Sequence, residues 1–326
     1  MDKIDLKDKK ILYNLCQNSR QGFSKIATKV GLSKNAVTYR VERLQKKGII
    51  RKFMPIINLG MLGIDTYDVF IKLRVKPEEE KELLEYIERN KYLVWMIKLS
   101  GEWDLLLEIA AKNIHHFSKI LSEMFVKIDK KIERYEVHVD SETIKVIPLI
   151  EEFFKNLKLP KLESKSSSGR IKIDEKDREI LYWLSKNGLM PQYEIAEKIK
   201  LSPDAVSYRM KNLEKTGVIK SYIPEVMMKP LDYSEYFIIL DLRNPSEEEL
   251  KRLKAYIVNN KNVEYAFRGA TKFEIILFVS VKKPEELDII IKDFKNEFFD
   301  TIIDQRFMLA LNHFMFNLFP EGLLEK

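Results

Sequence analysis

Apolar positions near the start of the chain recur at helical spacing in three successive stretches and then switch to alternation. In residues 5–17, Ile11, Leu12 and Leu15 share one helical face with Ile4 just ahead of them, which predicts an amphipathic helix. Phe23–Val30 predicts a short second helix. Gly31 and Leu32 then form a tight turn, and Ser33 is placed to cap a third helix running to about Lys47. Ala36, Val37, Val41 and Leu44 lie on the face of that helix that meets a core, and Gly48 is placed to close it. Residues 49–57 are β-prone and predict a wing. Three helices, a tight turn before the third and a wing describe a winged helix-turn-helix.

The pattern changes after residue 64. TYDVFIKLRV alternates as a strand, PEEEKELLEYIERN is helical, and YLVWMIKLSG and EWDLLLEIAA are two strands around Ser100 and Gly101. IHHFSKILSEMF is helical and IERYEVHV is a strand. The order βαββαβ predicts a ferredoxin-like α+β sandwich.

The whole arrangement then returns. At an offset of 169, residues 5–55 align without gaps on residues 174–224, with matches that include Asp5/Asp174, Ile11/Ile180, Ala27/Ala196, Ser33/Ser202, Val37/Val206, Tyr39/Tyr208, Arg40/Arg209, Gly48/Gly217 and Pro55/Pro224. The sandwich pattern follows again, more loosely, as SEYFIILDL, PSEEELKRLKAYIVNN, VEYAFRGA, KFEIILFVSV, PEELDIIIKDFKNEFF and IIDQRFMLAL. A fixed period of this length marks duplicated units. The fold class is therefore α+β, in two tandem units. The boundaries read as 1–58 for the first winged helix-turn-helix, 64–158 for the first sandwich and 159–170 for a linker, then 171–228 and 233–320 for the second pair.

Composition adds little until charge is located. The 326 residues are 45% apolar and 33% charged, which is globular usage. The net charge of +7 is not spread evenly. Residues 1–55 carry 14 Lys and Arg against 4 Asp and Glu, and residues 170–224 carry 11 against 8, whereas both sandwich segments are slightly acidic. A basic excess confined to the helix-turn-helix segments suits a polyanionic partner, double-stranded DNA. One cysteine, Cys16, excludes an intramolecular disulfide framework and fits a reducing cytoplasm. No apolar run approaches the ~20 residues needed to span a bilayer, and MDKIDLKDKK has no apolar stretch like that of a signal peptide, so no membrane partner is expected.

Recognition helices present base-reading side chains from their first turns. In the first copy these are Ser33, Lys34, Asn35, Thr38 and Tyr39, with Arg40, Arg43 and Lys47 further along and Arg51 and Lys52 on the wing as phosphate contacts. Asn suits adenine, and Lys or Arg suits guanine. In the second copy the candidates are Ser202, Ser207, Tyr208, Arg209, Lys211 and Asn212. Tyr39/Tyr208 and Arg40/Arg209 are shared by both copies, and internal packing or ion pairing would explain that equally. The third helix of the first copy has five cations and one acid, against three cations and two acids in the matching stretch of the second. The first copy should therefore supply most of the affinity, and reversing Lys34, Arg40 and Arg43 should abolish binding. No catalytic set, phosphate loop or metal spacing appears, so no enzyme activity, cofactor or metal is expected.

IDLKDKKIL, GLSKNAVTYRVERLQKKGIIRKF and SGEWDLLLEI, with IDEKDREIL and LSPDAVSYRMKNLEKTGVIKSY in the second copy, resemble the Lrp/AsnC family of leucine-responsive, or feast/famine, transcription regulators. The resemblance implies a sandwich that dimerises and senses an effector, an amino acid or similar small molecule. It places Gly101, Glu102, Trp103 and Asp104 in the effector site. The second copy departs there, with Glu274 in place of the acid after a longer turn. Family members are single units that dimerise, so two covalently joined units imply an intramolecular pseudo-dimer and further homo-oligomers. Two other readings share the architecture or the charge. Siroheme decarboxylases combine the same domains, but the His-Tyr-x-Arg run expected of them is missing: its nearest counterpart, Glu264-Tyr265-Ala266-Phe267-Arg268, lacks the histidine. His138 is read as a structural residue at a strand edge. A non-specific architectural DNA binder would also need the basic helices.

Overall fold

The computed structural model describes residues 4–154, 169–270 and 274–325. Most of the segment read as a linker, and Thr271, Lys272 and Phe273 of the second turn, lie outside them. In chain order the first copy has α1 (Leu6–Gln17), α2 (Phe23–Val30), α3 (Lys34–Lys46), β1 (Ile50–Ile57), β2 (Asp65–Leu73), α4 (Pro77–Glu88), β3 (Leu93–Ser100), β4 (Leu105–Ala111), α5 (Ile114–Val126) and β5 (Ile132–Val146). The second has α6 (Glu175–Lys186), α7 (Gln192–Ile199), α8 (Pro203–Lys215), β6 (Ile219–Val226), β7 (Ser234–Leu242), α9 (Glu247–Asn259), β8 (Val263–Gly269), β9 (Glu274–Val281), α10 (Pro284–Glu297) and β10 (Ile302–Phe316). Among the described residues, no helix is long and apolar enough to cross a membrane.

The compact units do not follow the copies. One gathers both helix-turn-helix heads, residues 4–58 and 173–233, together with 147–154. The other gathers both sandwiches. Residues 147–154, read from the sequence as the end of the first sandwich, belong instead with the heads. Leu149, Ile150, Phe153 and Phe154 are buried in the core that α1, α2 and α3 form around Ile11, Leu15, Ile26 and Leu44. The Tyr13 and Phe154 rings meet edge to face at 5.5 Å.

Within the head unit, β1 and β6 form a two-stranded antiparallel sheet. Met54 faces Ile223, the residue at its own place in the other copy, while Phe53 faces Pro224 and Pro55 faces Tyr222. That reciprocal register is an isologous pairing about a pseudo-two-fold axis. Gly188 closes the joint, donating its N–H to the Phe53 carbonyl at 2.7 Å. A Cβ at Gly188 would lie 2.6 Å from the Met54 nitrogen, so only glycine allows the approach.

Within the sandwich unit, the eight strands close into a barrel in the order β10-β3-β4-β2-β5-β8-β9-β7. Each copy contributes four neighbouring strands, and the seams are β5 with β8 and β10 with β3. The alternation of the strands divides their side chains. Val69, Ile71, Leu105 and Leu107 meet α4 and α5 outside, and Leu240, Ile275 and Leu277 meet α9 and α10. Phe70, Ile97, Leu106, Phe237, Ile239, Ile276 and Phe278 fill the inside.

Candidate nucleic-acid interface and sensing turn

The tip of α3 is built by its cap. The Ser33 hydroxyl accepts the Ala36 N–H at 3.1 Å, and Ser202 does the same for Ala205 at 3.2 Å. These oxygens therefore hold the helix ends before they can serve DNA. Lys34 and Asn35 are exposed, and Tyr39 is 65% exposed, as Tyr208 is 75% in the other head. An aromatic left this open on a helix is unusual for a packing residue, which separates the tyrosines from the arginines beside them. Thr38 is half-buried and its hydroxyl donates to the Lys34 carbonyl at 3.1 Å. Lys47 is exposed at the C-cap of α3; Ser207 is half-buried, and Lys211 and Asn212 are exposed.

Arg40 and Arg43 point the other way. Arg40 binds Asp5 at 2.6 Å and Asp8 at 2.8 Å, and Arg43 binds Asp8 at 2.6 Å. Asp5 and Asp8 are the two members of the capping box of α1, and the Asp8 side chain is fully buried. The pair of arginines thus ties the recognition helix to the first helix. Arg209 repeats the clamp at 2.8 Å to both Asp174 and Asp177, with Asn212 where the first copy has Arg43. Desolvation pushes the Asp5 carboxyl up, but the Asp8 N–H and Arg40 hold it below the ordinary range, and Asp174 behaves alike with Asp177 and Arg209. Arg40, Arg43 and Arg209, read as DNA contacts, are held by carboxylates of their own heads. The acids were missed because they lie 32 and 35 residues upstream.

The wing also needs correction. Residues 50–57 form a strand, but its partner is β6 rather than a DNA-facing hairpin strand. Arg51 forks onto Glu225, with Nε 2.9 Å from the carboxylate. Lys52 reaches the Ser185 carbonyl at 3.4 Å, and burial pushes its ammonium pKa down. Both side chains are spent on the joint between heads, not presented to phosphates.

In the barrel unit, the turn after β3 is tightly fixed. Gly101 has φ of +138°, and a Cβ there would meet the Phe307 carbonyl and Met308 Cγ of β10 at 3.3 Å. Glu102 lies 3.6 Å from both Arg134 and Arg306. Trp103 is 2% exposed, packed into the barrel core under the Arg134 guanidinium, and its indole nitrogen has no hydrogen-bond partner among the described residues. Asp104 accepts the Leu73 N–H at 2.8 Å and pairs with Lys72 at 3.0 Å. The corresponding acid of the second copy, Glu274, is fully buried and bonds His138 Nδ1 at 2.5 Å. His138 is consequently not at an edge: β5 is paired on both sides, and the ring is buried at the edge of Phe70. Next to it a row of acids lines the barrel, with Asp68 opposite both Glu108 and His138. Desolvation raises all three carboxyls there: Asp68 well above its usual value, and Glu108 and Asp140 to about 7. Among the described residues, no group of His, Cys, Asp and Glu is arranged to hold a metal.

Comparison with known proteins agrees with this geometry. The family described as winged helix-turn-helix DNA-binding matches twice, at residues 4–51 and 173–220, and the Lrp/AsnC ligand binding domain matches residues 68–149. An uncharacterised HTH-type transcriptional regulator of Pyrococcus furiosus is 32% identical over 128 residues, 38% of this chain and 85% of that protein. The HTH-type transcriptional regulator Ptr1 of Methanocaldococcus jannaschii is 34% identical over 123 residues, 38% of this chain and 80% of that protein. The crystal structure of the siroheme decarboxylase NirDL superposes with a TM-score of 0.65 over 98% of this chain and 96% of that one, at 15% identity, a likeness of fold alone. The chain belongs to the Lrp/AsnC family of DNA-binding transcription regulators, in a form that carries the helix-turn-helix twice.

Proposed function

We propose that the chain is a sequence-specific regulator of transcription in the cytoplasm, responsive to an amino acid or similar small molecule. The observation that carries the reading is the exposed tip of α3, with Lys34, Asn35 and Tyr39 open to solvent on a head paired about a pseudo-two-fold axis. Asn35, Thr38 and Tyr39 read bases, with Lys34 and Lys47 on phosphate. Ser207, Tyr208 and Lys211 do so in the second head. The effector docks at the turn of Gly101, Glu102, Trp103 and Asp104, where the free indole N–H supplies a buried donor, and higher homo-oligomers bring such turns together. A gel-shift series with native genomic fragments and specific competitor, repeated with each amino acid, tests it. Discrete fragments resisting non-specific competitor, with mobility or affinity altered by one amino acid, are expected. Uniform coating of all fragments would favour the architectural binder instead.

One second reading, a siroheme decarboxylase, shares the full-length architecture, a likeness of fold alone. Glu264 stands where that activity would want a histidine, and it is buried and bonded by the Ser280 hydroxyl at 2.6 Å. An absorbance titration with siroheme decides: no spectral shift is expected, and a stoichiometric shift would overturn the regulator reading.

A further inference from the structure

The pseudo-two-fold register of β1 with β6 makes the tips of α3 and α8 equivalent places on one frame. The helices match where they pack and where they are held. Val37, Val41 and Leu44 correspond to buried Val206, Met210 and Leu213, the serine caps are alike, and the arginine clamp recurs. They differ where they face solvent. Lys34 becomes Pro203 and Asn35 becomes Asp204, all four exposed. Proline is well accommodated at the first helical position, where no N–H is needed, and an acid in the first turn suits the helix dipole. The fold therefore tolerates both exchanges at little cost, and their consequence falls on whatever the tip meets.

Asparagine offers an acceptor and a donor, the pattern of the adenine edge in the major groove. An aspartate offers acceptors only; cytosine N4 is a donor that suits it there, whereas the adenine N6 donor lies beside the N7 acceptor, which repels a carboxylate. Its charge also opposes the phosphate field, and Pro203 removes the first-turn lysine of head one, leaving Lys200 in the turn ahead and Lys211 two turns on as the nearest exposed cations. Head two should therefore bind unmatched DNA poorly and gain only where a cytosine amino group faces Asp204. Head one, with its lysine, should bind broadly and strongly.

We infer that the two heads demand different bases, Asn35 an adenine and Asp204 a cytosine, so that the DNA site is asymmetric and the chain binds it in one orientation. The inference rests on the DNA-binding reading above. Selection of bound duplexes from a randomised pool by the full-length chain tests both, with D204N and N35D selected in parallel and their thermal unfolding compared with the parent. The parent should yield two unlike half-sites. D204N should convert the cytosine of one half-site to adenine, and N35D should do the reverse in the other, each changing preference about ten-fold at an unchanged melting temperature. A palindromic consensus, information in one half-site only, or a D204N consensus identical to the parent's would each overturn the inference while leaving DNA binding intact. Failure to enrich any duplex would overturn the DNA-binding reading itself.

Discussion

Asp8 is the residue on which the first head turns. Its side chain is fully buried, accepts its share of the capping box and takes two guanidinium groups. Removing the carboxylate takes away the Arg43 contact and leaves Arg40 with Asp5 alone, which costs roughly 2–3 kcal/mol, below the range for a fully buried pair because both arginines are partly open. Asp8→Ala should lower the melting temperature of the head by several degrees. R40Q should do likewise while leaving the slope of log affinity against log salt as in the parent. Lys34→Gln should do the opposite, reducing that slope by about one with unchanged melting. A slope lowered equally by R40Q and Lys34→Gln would return Arg40 to the phosphates. The sequence marked Arg40 because it is basic and on the recognition helix. The clue to its other role was also there, since Asp5 and Arg40 recur together as Asp174 and Arg209. Charge alone does not say which way a long side chain turns. That is why triple reversal of Lys34, Arg40 and Arg43 would unfold the head as well as weaken binding.

Strand β1 shows the limit of pattern at the scale of an element. Its β-prone run predicts a strand at residues 49–57, and a strand spans Ile50–Ile57. Which strand it pairs with is set by a segment 169 positions away, and no local periodicity reports that. Helices fared better because their caps are local: Ser33, Asp5 and Gly31 mark ends that the structure places within a residue. The joint between β1 and β6 makes a sharp demand on Gly188, whose missing side chain leaves room for the Met54 backbone. Gly188→Ala forces backbone to move, at a cost of about 1–3 kcal/mol. Calorimetry should show the heads melting earlier, and proteolysis should cut near β1 and β6 first. An unperturbed melt would mean the two strands are not held in this register. Arg51→Met, by contrast, strands Glu225 on the same sheet and should lower stability without touching the salt slope of DNA binding.

At the scale of the whole chain, duplication was legible in the sequence, and pairing between the sandwich copies was an expectation from the family resemblance. What neither supplied was closure of eight strands into one barrel, because seams depend on which edges meet. Copy one alone would expose the β3 and β5 edges, so a chain ending after residue 154 should self-associate through them, and a stable monomer in sedimentation would argue against the seams. Closure also explains the raised carboxyls. Glu108 and Asp140, at about 7, and Asp68, well above its usual value, keep their protons in the folded barrel, whereas in the unfolded chain such groups ionise near 4. Folded values raised above unfolded ones mean stability that is fully present below about pH 4 and is lost as pH climbs to about 7. The capping carboxyls Asp5 and Asp174 have the opposite sign, since their depressed values stabilise the heads above about pH 4 and fail only below it. Between pH 5 and 8 the barrel groups therefore dominate. The barrel should melt at a higher temperature at pH 5 than at pH 8, and a Glu108→Gln, Asp68→Asn double variant should reduce that difference, leaving the part due to Asp140 and to Glu264, whose carboxyl burial raises to about 8. A variant whose melting temperature falls with pH as steeply as the parent's would show that these carboxyls ionise at ordinary values, as they would if water filled the barrel around them.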